Sequence, residues 1–292
     1  MEVYTTSAYT TRCDLVTLRP VPGEVIELFA ELLAAWGRVA SFHDPTSELS
    51  SLNAHTEPRV AVSEELAALL HRADWSWQAT GGLVDAVRAA NPTVLEPDHP
   101  AARIGWRANA RWEDVRLGTR VVWRTPGVLV DLGGVGKGVI ADVIATTLAG
   151  IIGEPVLVNL GGDMRAVGEA PWSVLVTHDG SLRMDVPGQA IRFPEGGLAT
   201  SDRSARRTPL GLDHIVGALP AAGALRRASV VAADAATANT LSLGLVAAGH
   251  AWRELWDRFE LPTLVVTNDG RRYALGGWPA EDHWLSPLEV GP

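Results

Sequence analysis

The chain has 292 residues, of which 47% are hydrophobic and 20% charged, and its formal net charge is -9. This length allows one large domain or two modest ones with an ample core, and the composition is that of an ordinary globular protein. The negative charge argues against non-specific nucleic-acid binding, and the single cysteine, Cys13, excludes an intrachain disulfide and a cysteine-based metal cluster.

The N-terminal residues, Met1 to Pro20, lack a basic segment followed by an apolar run, which is the pattern of a secretory leader. The chain also contains no apolar stretch long enough to span a membrane. The sequence therefore predicts a cytoplasmic protein that has neither a membrane nor a nucleic acid as its partner.

The first third of the chain predicts a strand and two helices. The apolar stretch Cys13–Leu18 is strand-like and places Cys13 in the core. Apolar residues at helical spacing predict a helix over Glu24–Val39, and the polar stretch Ser41–Asn53 predicts a loop. Ser63, followed by two glutamates, is typical of a helix N-cap, and this second helix is expected to run to about Gln78.

Strands and helices are mixed in the remainder of the chain. The strands are predicted over Val121–Trp123, Val128–Leu132, Pro155–Leu160, Trp172–Thr177, Ser229–Ala233 and Thr263–Thr267, and the helices over Val139–Leu148 and Ala235–Ala248. Pro92–Arg120 is irregular, and Gly196–Pro220 is a long, polar, partly basic region. The order lacks strict βαβ alternation, so it favours an α+β class. No linker divides the chain, which predicts a single domain over residues 1–292.

A glycine-rich loop lies between a predicted strand and a predicted helix. It reads Gly133-Gly134-Val135-Gly136-Lys137-Gly138. Such a loop lets the backbone approach a ligand closely, and it directs helix N-terminal N–H groups and one cation at an anion. Its spacing fits neither a Walker A loop nor a dinucleotide fingerprint. Glycine-rich turns also arise for packing alone, which is the alternative interpretation.

Five further motifs accompany this loop in a fixed order. Together the six run Ser41–Asn53, Thr80–Asp85, Asp131–Asp142, Val158–Asp163, Leu198–Ser201 and His214–Val216. The ordered series, from about Ser41 to Gly277, resembles the FAD:protein FMN transferase family of ApbE-like flavin transferases. The resemblance implies an α+β, single-domain ApbE-like fold with mixed sheets, helices and a flavin or nucleotide cleft.

The resemblance also implies a reaction. Members of the family move FMN from FAD to a threonine or serine hydroxyl of an acceptor protein and release AMP, with magnesium neutralising the developing charge. The implied partners are therefore FAD and an acceptor flavoprotein. The residues implied at the FAD site are Ser47, Glu48, Leu49, Asp85, Gly133, Gly134, Gly136, Lys137 and Asp142, with the turn Asn159–Asp163 shaping the opposite wall.

Several of these residues have a simpler structural interpretation. Glu48 could be a solvated loop charge, and Asp85 could cap a helix. Asp142, one turn into a predicted helix, could serve the helix dipole instead of a ligand. Asp163 could do no more than end the turn that follows two glycines.

The metal site implied by the family is altered in this sequence. The family holds magnesium with an Asp and a Thr four residues apart on a helix, and with a backbone carbonyl of the glycine-rich loop. The matching positions are Asn239 and Leu243, with Gly136 in the loop. Leu243 cannot ligate a metal and Asn239 lacks the anionic charge that a hard cation prefers, so a magnesium site is doubtful.

The catalytic segment implied by the family is altered as well. The family reads His-Ile-Ile/Val-Asp-Pro, whereas this chain reads His214-Ile215-Val216-Gly217-Ala218. His214 is the candidate base, because its ordinary pKa suits proton transfer near neutral pH. It could equally be a structural remnant, since its aspartate partner is missing.

Three functions follow from these observations. The first is an FMN transferase with a modified metal site. The second is a catalytically silent protein that binds FAD or another nucleotide. The third is a repurposed enzyme that uses the same cleft for another substrate.

Overall fold

An antiparallel sheet and the helices on one of its faces form most of this fold. The computed structural model describes residues 1–87, 90, 95–103, 106–177, 186–193, 195–204, 215 and 223–279. The helices are α1 (Gly23–Ala40), α2 (Glu48–Ala54), α3 (Glu64–Thr80), α4 (Gly136–Ile152), α5 (Ala235–Ala247) and α6 (Trp252–Trp256).

The strands within these residues are short and pair in three sheets. They are β1 (Glu2–Ala8), β2 (Thr11–Thr17), β3 (Arg59–Ala61), β4 (Val115–Leu117), β5 (Val121–Arg124), β6 (Val156–Leu160), β7 (Asp163–Val167), β8 (Trp172–Thr177), β9 (Gly188–Phe193), β10 (Gly196–Asp202), β11 (Leu225–Ala232), β12 (Thr263–Thr267) and β13 (Arg272–Leu275). The main sheet has eight strands in the order β1-β2-β6-β7-β10-β11-β12-β13, and the smaller ones are β3-β5-β4 and β8-β9.

Every strand pair in the described part of the chain is antiparallel. Together with the six helices among the described residues, this confirms the predicted α+β class. No helix in the described ranges combines the length and apolar character needed to cross a membrane.

The main sheet is covered on both faces. Helix α4 packs on β6 and β7, α5 packs on β10 and β11, and the two helices contact each other. Successive side chains of β6 point to opposite faces of the sheet, and Val156 and Val158 join the core on the face that the helices cover. Leu157 instead joins a core with Trp172 and Phe193 of the β8–β9 hairpin.

Two features hold α4 and α5 together. Gly138 allows close approach, because a Cβ atom there would lie 2.8 Å from the Ala236 Cα atom. Asp142 of α4 accepts hydrogen bonds at the start of α5, at 2.8 Å from Ala235 N and 3.0 Å from Ala236 N. These contacts satisfy N–H groups that a helix start leaves free, and they fix the separation of the two helices that line the cleft described below.

The predicted helices agree with the structure to within a few residues. Ser63 caps α3, since its hydroxyl accepts from Leu66 N at 3.1 Å, and Gly81 ends that helix in the left-handed region at φ 62°. Cys13 is fully buried in β2, as predicted. The strand over Thr263–Thr267 has the predicted bounds.

Two predictions of local structure were wrong, and one strand was missed. The predicted loop Ser41–Asn53 contains α2, which begins after Ser47 because the Ser47 hydroxyl accepts from Ser50 N at 3.0 Å. The predicted strand Val128–Leu132 pairs with no strand in the described part of the chain. The long polar region Gly196–Pro220, for which no element was predicted, begins with strand β10, and most of its remainder lies outside the described residues.

Candidate functional site

A cleft of about 480 Å³ lies where the glycine-rich loop, α5 and the main sheet meet. Its lining combines glycines, ionisable groups, hydroxyls and an apolar wall. The lining residues are Thr10, Thr11, Arg12, Gly133, Gly134, Lys137, Gly161, Gly162, Asp163, Met164, Val174, Leu175, Val176, Thr177, Leu198, Thr200, Ser201, Asp202, Ile215, Asn239 and Leu243. This mixture suits a ligand that has both charged and flat apolar parts.

The glycine-rich loop brings a cation to the cleft. Gly133 and Gly134 line the cleft, and α4 begins at Gly136, so the positive end of the helix dipole lies beside them. Lys137, in the first turn, lines the cleft with a side chain that is 18% exposed. This arrangement can receive an anion.

Asp163 is the ionic partner of Lys137. The Lys137 Nζ atom lies 3.0 Å from Asp163 Oδ2, and the Asp163 side chain is almost fully buried. A two-residue turn positions the aspartate, because Gly161 and Gly162 both have positive φ and Asp163 begins β7 directly after them. The lysine is therefore held at a fixed place in the cleft.

Asn239 on α5 shares the same carboxylate. Its Nδ2 donates to Asp163 Oδ1 at 3.0 Å. The residue is 6% exposed, and its amide oxygen has no hydrogen-bond partner within the described ranges. Turning the amide over would place two oxygens 3.0 Å apart, so the carboxylate fixes the orientation of the amide.

Leu243 lies one turn further along α5 and packs on the loop. A Cβ atom on Gly134 would lie 3.1 Å from Leu243 Cδ2. Both residues line the cleft. A hydrocarbon side chain is thus in van der Waals contact with the loop at the position where the family resemblance implies a metal ligand.

The residues present do not fit the magnesium site that the resemblance implies. Asn239 offers one neutral oxygen, Leu243 offers none, and Gly136 would contribute only a backbone carbonyl. In the part of the chain that the structure describes, no group of three or more His, Cys, Asp or Glu side chains could hold a metal ion. Magnesium favours carboxylate oxygens in near-octahedral geometry, and this donor set does not supply them.

The other wall of the cleft carries a hydroxyl network and a buried ion pair. Thr200 Oγ1 lies 2.8 Å from Ser229 Oγ, and Ser201 Oγ lies 2.9 Å from Ser242 Oγ. Asp202 lines the cleft and accepts from Arg227 Nε at 2.5 Å, with both side chains nearly inaccessible to solvent. The arginine neutralises this carboxylate, so it adds little net charge to the cleft.

The turn between β1 and β2 forms the rim of the cleft. Tyr9 and Thr10 occupy its two central positions with φ of 53° and 57°. Such left-handed turns usually contain Asn or Gly, and β-branched Thr10 carries backbone strain there. The turn is anchored because the Tyr9 hydroxyl donates to the carbonyl of Leu33 at 2.5 Å.

The structure places three predicted flavin-site residues in the scaffold rather than on the cleft wall. Ser47 caps α2, and Leu49 is fully buried in the core. Glu48 accepts from Ser63 N at 2.6 Å and from Ser63 Oγ at 2.5 Å, which joins the starts of α2 and α3. Their contact with flavin stays a prediction.

Asp85 and Asp142 are also held by backbone groups. Asp85 accepts from Val87 N at 2.9 Å and from Trp112 N at 3.4 Å. Asp142 caps α5 as described above. Burial raises the pKa of Asp142 to about 6, while the two backbone donors favour its charged form. A role for either residue at the flavin site stays a prediction.

His214, the predicted base, lies outside the described residues. Its neighbour Ile215 lines the cleft. Sequence reasoning missed other lining residues, namely Thr10, Thr11, Arg12 and Asp202. Thr10, Thr11 and Arg12 belong to the β1–β2 hairpin near the N-terminus. This hairpin carries no motif of its own, so no signal in the sequence indicated that its turn would reach the cleft.

Comparison with solved structures shows the same fold. The flavin transferase ApbE from Vibrio cholerae is 22% identical with a TM-score of 0.76, and the match covers 95% of this chain and 97% of that one. The ApbE protein from Thermotoga maritima is 24% identical with a TM-score of 0.76, over 94% and 96% of the two chains. Flavinyl transferase ApbE of Pseudomonas stutzeri is 16% identical with a TM-score of 0.73, over 94% of each chain.

Sequence comparison agrees with this result. No curated protein matches the chain in sequence. The pattern of the ApbE family, however, matches residues 5–265, which is nearly the whole chain and contains all of the described cleft. The ordered motifs, the antiparallel fold and this match lead to one conclusion: the chain belongs to the ApbE family.

Proposed function

We propose that the cleft binds FAD, with the diphosphate over Gly133 and Gly134 and beside Lys137. The observation that carries this proposal is the fixed lysine at the start of α4, next to two glycines that let a ligand reach the backbone. A lysine ammonium and a helix N-terminus both attract phosphate. The apolar residues Val174 and Leu198 offer a surface for a flat ring.

The reaction that we propose is transfer of FMN to a serine or threonine hydroxyl of an acceptor flavoprotein. The hydroxyl oxygen forms a bond to the FMN-side phosphorus, the bond between that phosphorus and the bridging oxygen breaks, and AMP leaves. The hydroxyl proton passes to a base, for which His214 is the candidate. Membership of the ApbE family supports this reaction.

Binding of FAD without transfer is the second candidate function. Leu243 packs on Gly134, and Asn239 replaces a carboxylate, so this chain lacks the donors with which the family would hold its catalytic metal. Phosphoryl transfer without a metal loses a major source of charge stabilisation. This candidate predicts tight binding and no release of AMP.

Titration of the ligand-stripped protein with FAD separates the candidates. We expect quenching of flavin fluorescence on binding, and Lys137→Met should weaken it. AMP and protein-bound FMN, measured with an acceptor peptide containing Thr, report transfer. Binding with AMP release supports the transferase, binding alone supports the silent protein, and absence of binding contradicts both.

A further inference from the structure

The charges around Lys137 balance without an added metal ion. Lys137 and Asp163 form an ion pair at 3.0 Å, and Asn239 is neutral. A second carboxylate at position 239 would lie about 3 Å from Asp163 and leave one surplus negative charge, which a divalent cation would have to offset. Asparagine removes that charge and turns the contact into a hydrogen bond.

The geometry of the two side chains on α5 agrees with this balance. Leu243 Cδ2 packs against Gly134, so hydrocarbon lies between α5 and the glycine-rich loop. The Asn239 amide oxygen is buried on the cleft wall with no partner within the described ranges. A buried acceptor of this kind calls for a donor from a ligand or a water.

We infer that this cleft holds the diphosphate of its nucleotide without a divalent metal, with Lys137 as the cation, and that the Asn239 amide oxygen, in the place of the metal ligand, accepts a hydrogen bond from a bound water or from a hydroxyl or N–H group of the nucleotide. The identity of the nucleotide rests on the proposed function. The independence from a metal ion is inferred from the contacts of Asp163, Asn239 and Leu243.

The first test compares FAD affinity in EDTA and in magnesium, measured by fluorescence quenching. For the unmodified protein we expect the two dissociation constants to agree within about threefold. Affinity that rises about tenfold or more with magnesium would overturn the inference. Absence of FAD binding in both buffers would overturn the proposed function, and the metal titration described next would still decide the inference.

The second test uses the apoprotein and Mn²⁺, followed by electron paramagnetic resonance. We expect no Mn²⁺ site in the unmodified cleft. The double variant Asn239→Asp/Leu243→Thr should gain such a site, and its FAD affinity should become about tenfold dependent on magnesium. A Mn²⁺ site in the unmodified protein that Asn239→Ala removes would overturn the inference.

A matched control uses exposed residues outside the cleft lining. Asn109→Asp/Ile151→Thr makes the same asparagine-to-aspartate change and a similar aliphatic-to-threonine change at exposed positions, and it should gain neither the Mn²⁺ site nor the magnesium dependence. Circular dichroism shows whether each variant is folded. A folded Asn239→Asp/Leu243→Thr variant that gains neither property contradicts the assignment of metal independence to these two positions.

Discussion

The side chain of Asn53 forms with Val130 both hydrogen bonds that a neighbouring strand would form. Its Nδ2 donates to the Val130 carbonyl and its Oδ1 accepts from Val130 N, each at 2.8 Å, and both residues are fully buried. The segment that leads into the glycine-rich loop is therefore held by one side chain of α2. This contact connects the scaffold motif Ser41–Asn53 to the cleft.

Replacement of Asn53 by alanine should destabilise the protein strongly. Asn53→Ala leaves a buried donor and a buried acceptor of Val130 unsatisfied, and we expect the free energy of unfolding to fall by about 2–5 kcal/mol. Urea unfolding measures this change. Asn109→Ala, at an exposed position, is the control. A difference between the two variants below about 0.5 kcal/mol would contradict the structural role of Asn53.

The contact between Asn53 and Val130 also explains why part of the fold could not be predicted from the sequence. Long helices with a clear apolar stripe, such as α1, and capped ones, such as α3, were predictable. The apolar run Val128–Leu132 has the composition of a strand, but its backbone groups bond to Asn53 and to Ala86 O. A side chain that replaces a strand leaves no periodic signal.

Small residues concealed two other elements. Helix α2 has only seven residues, three of them Ser or Asn, and this short polar composition is typical of a loop. Strand β10 begins with Gly196-Gly197, which weakens the strand signal. A Cβ on Gly197 would lie 2.2 Å from the backbone of Asp234, so the glycine is required by a close approach that only the structure reveals.

At the cleft, the glycine-rich loop and the exceptional positions 239 and 243 could be identified from sequence, whereas their contacts could not. The family resemblance located Lys137 and Asn239, but Asp163 was expected only to shape a wall or to end a turn. The ion pair and the amide contact both depend on the packing that places β7 beside α4 and α5. Packing between elements that lie far apart in the chain leaves no local pattern that identifies the contacting side chains.

Lys137 should make a measurable contribution to nucleotide affinity. Lys137→Met removes the ammonium group and leaves the Asp163 carboxylate hydrogen-bonded to the neutral Asn239 amide but without its lysine counter-charge, so we expect FAD affinity to fall by about 10- to 100-fold. Adding Asp163→Asn should recover part of the loss, because it removes the uncompensated carboxylate. Fluorescence titration of both variants measures this. Equal affinities of Lys137→Met and the unmodified protein would contradict a phosphate contact.

The crossing of α4 and α5 should not tolerate a side chain at Gly138. A methyl group there would lie 2.8 Å from Ala236 Cα and 2.9 Å from the Ala235 carbonyl oxygen, so the helices must separate. Gly138→Ala should therefore lower the unfolding free energy by about 1–3 kcal/mol and weaken FAD binding, since Asn239 moves with α5.

Gly150, on the same helix, provides the control for that substitution. A Cβ atom there meets nothing within 4 Å. Gly150→Ala should therefore stabilise the protein by about 0.5–1 kcal/mol through helix propensity alone. Similar effects of the two substitutions in thermal unfolding would contradict the close crossing.

The capping carboxylate of Asp142 should make stability depend on pH. Because its pKa is raised from 3.8 to about 6, the folded state holds its proton more tightly than the unfolded chain does. Proton binding at Asp142 therefore stabilises the folded state fully below pH 3.8, and this stabilisation is lost as the pH rises through about 6. Urea unfolding at a series of pH values should show this decline.

Two substitutions test that assignment. Asp142→Asn should flatten the decline over this range. It should also lower stability overall, because Ala235 N and Ala236 N donate to different carboxylate oxygens and one of these becomes an NH2 group that cannot accept. Asp257→Asn, at an exposed aspartate, should keep the profile of the unmodified protein. An unchanged profile in Asp142→Asn would assign the pH dependence to another group.

The cleft is built from segments that lie far apart in the chain, from Thr10 on the β1–β2 turn to Leu243 on α5. A nucleotide that contacts the turn, the glycine-rich loop and α5 together would act as a reversible cross-link between the N-terminal hairpin and the C-terminal helices. Such a ligand raises the melting temperature, by an amount equivalent to about 2.7 kcal/mol at a hundredfold excess over its dissociation constant. Thermal-shift measurements across a panel of flavins and nucleotides would therefore rank the ligands of this cleft without any assay of turnover.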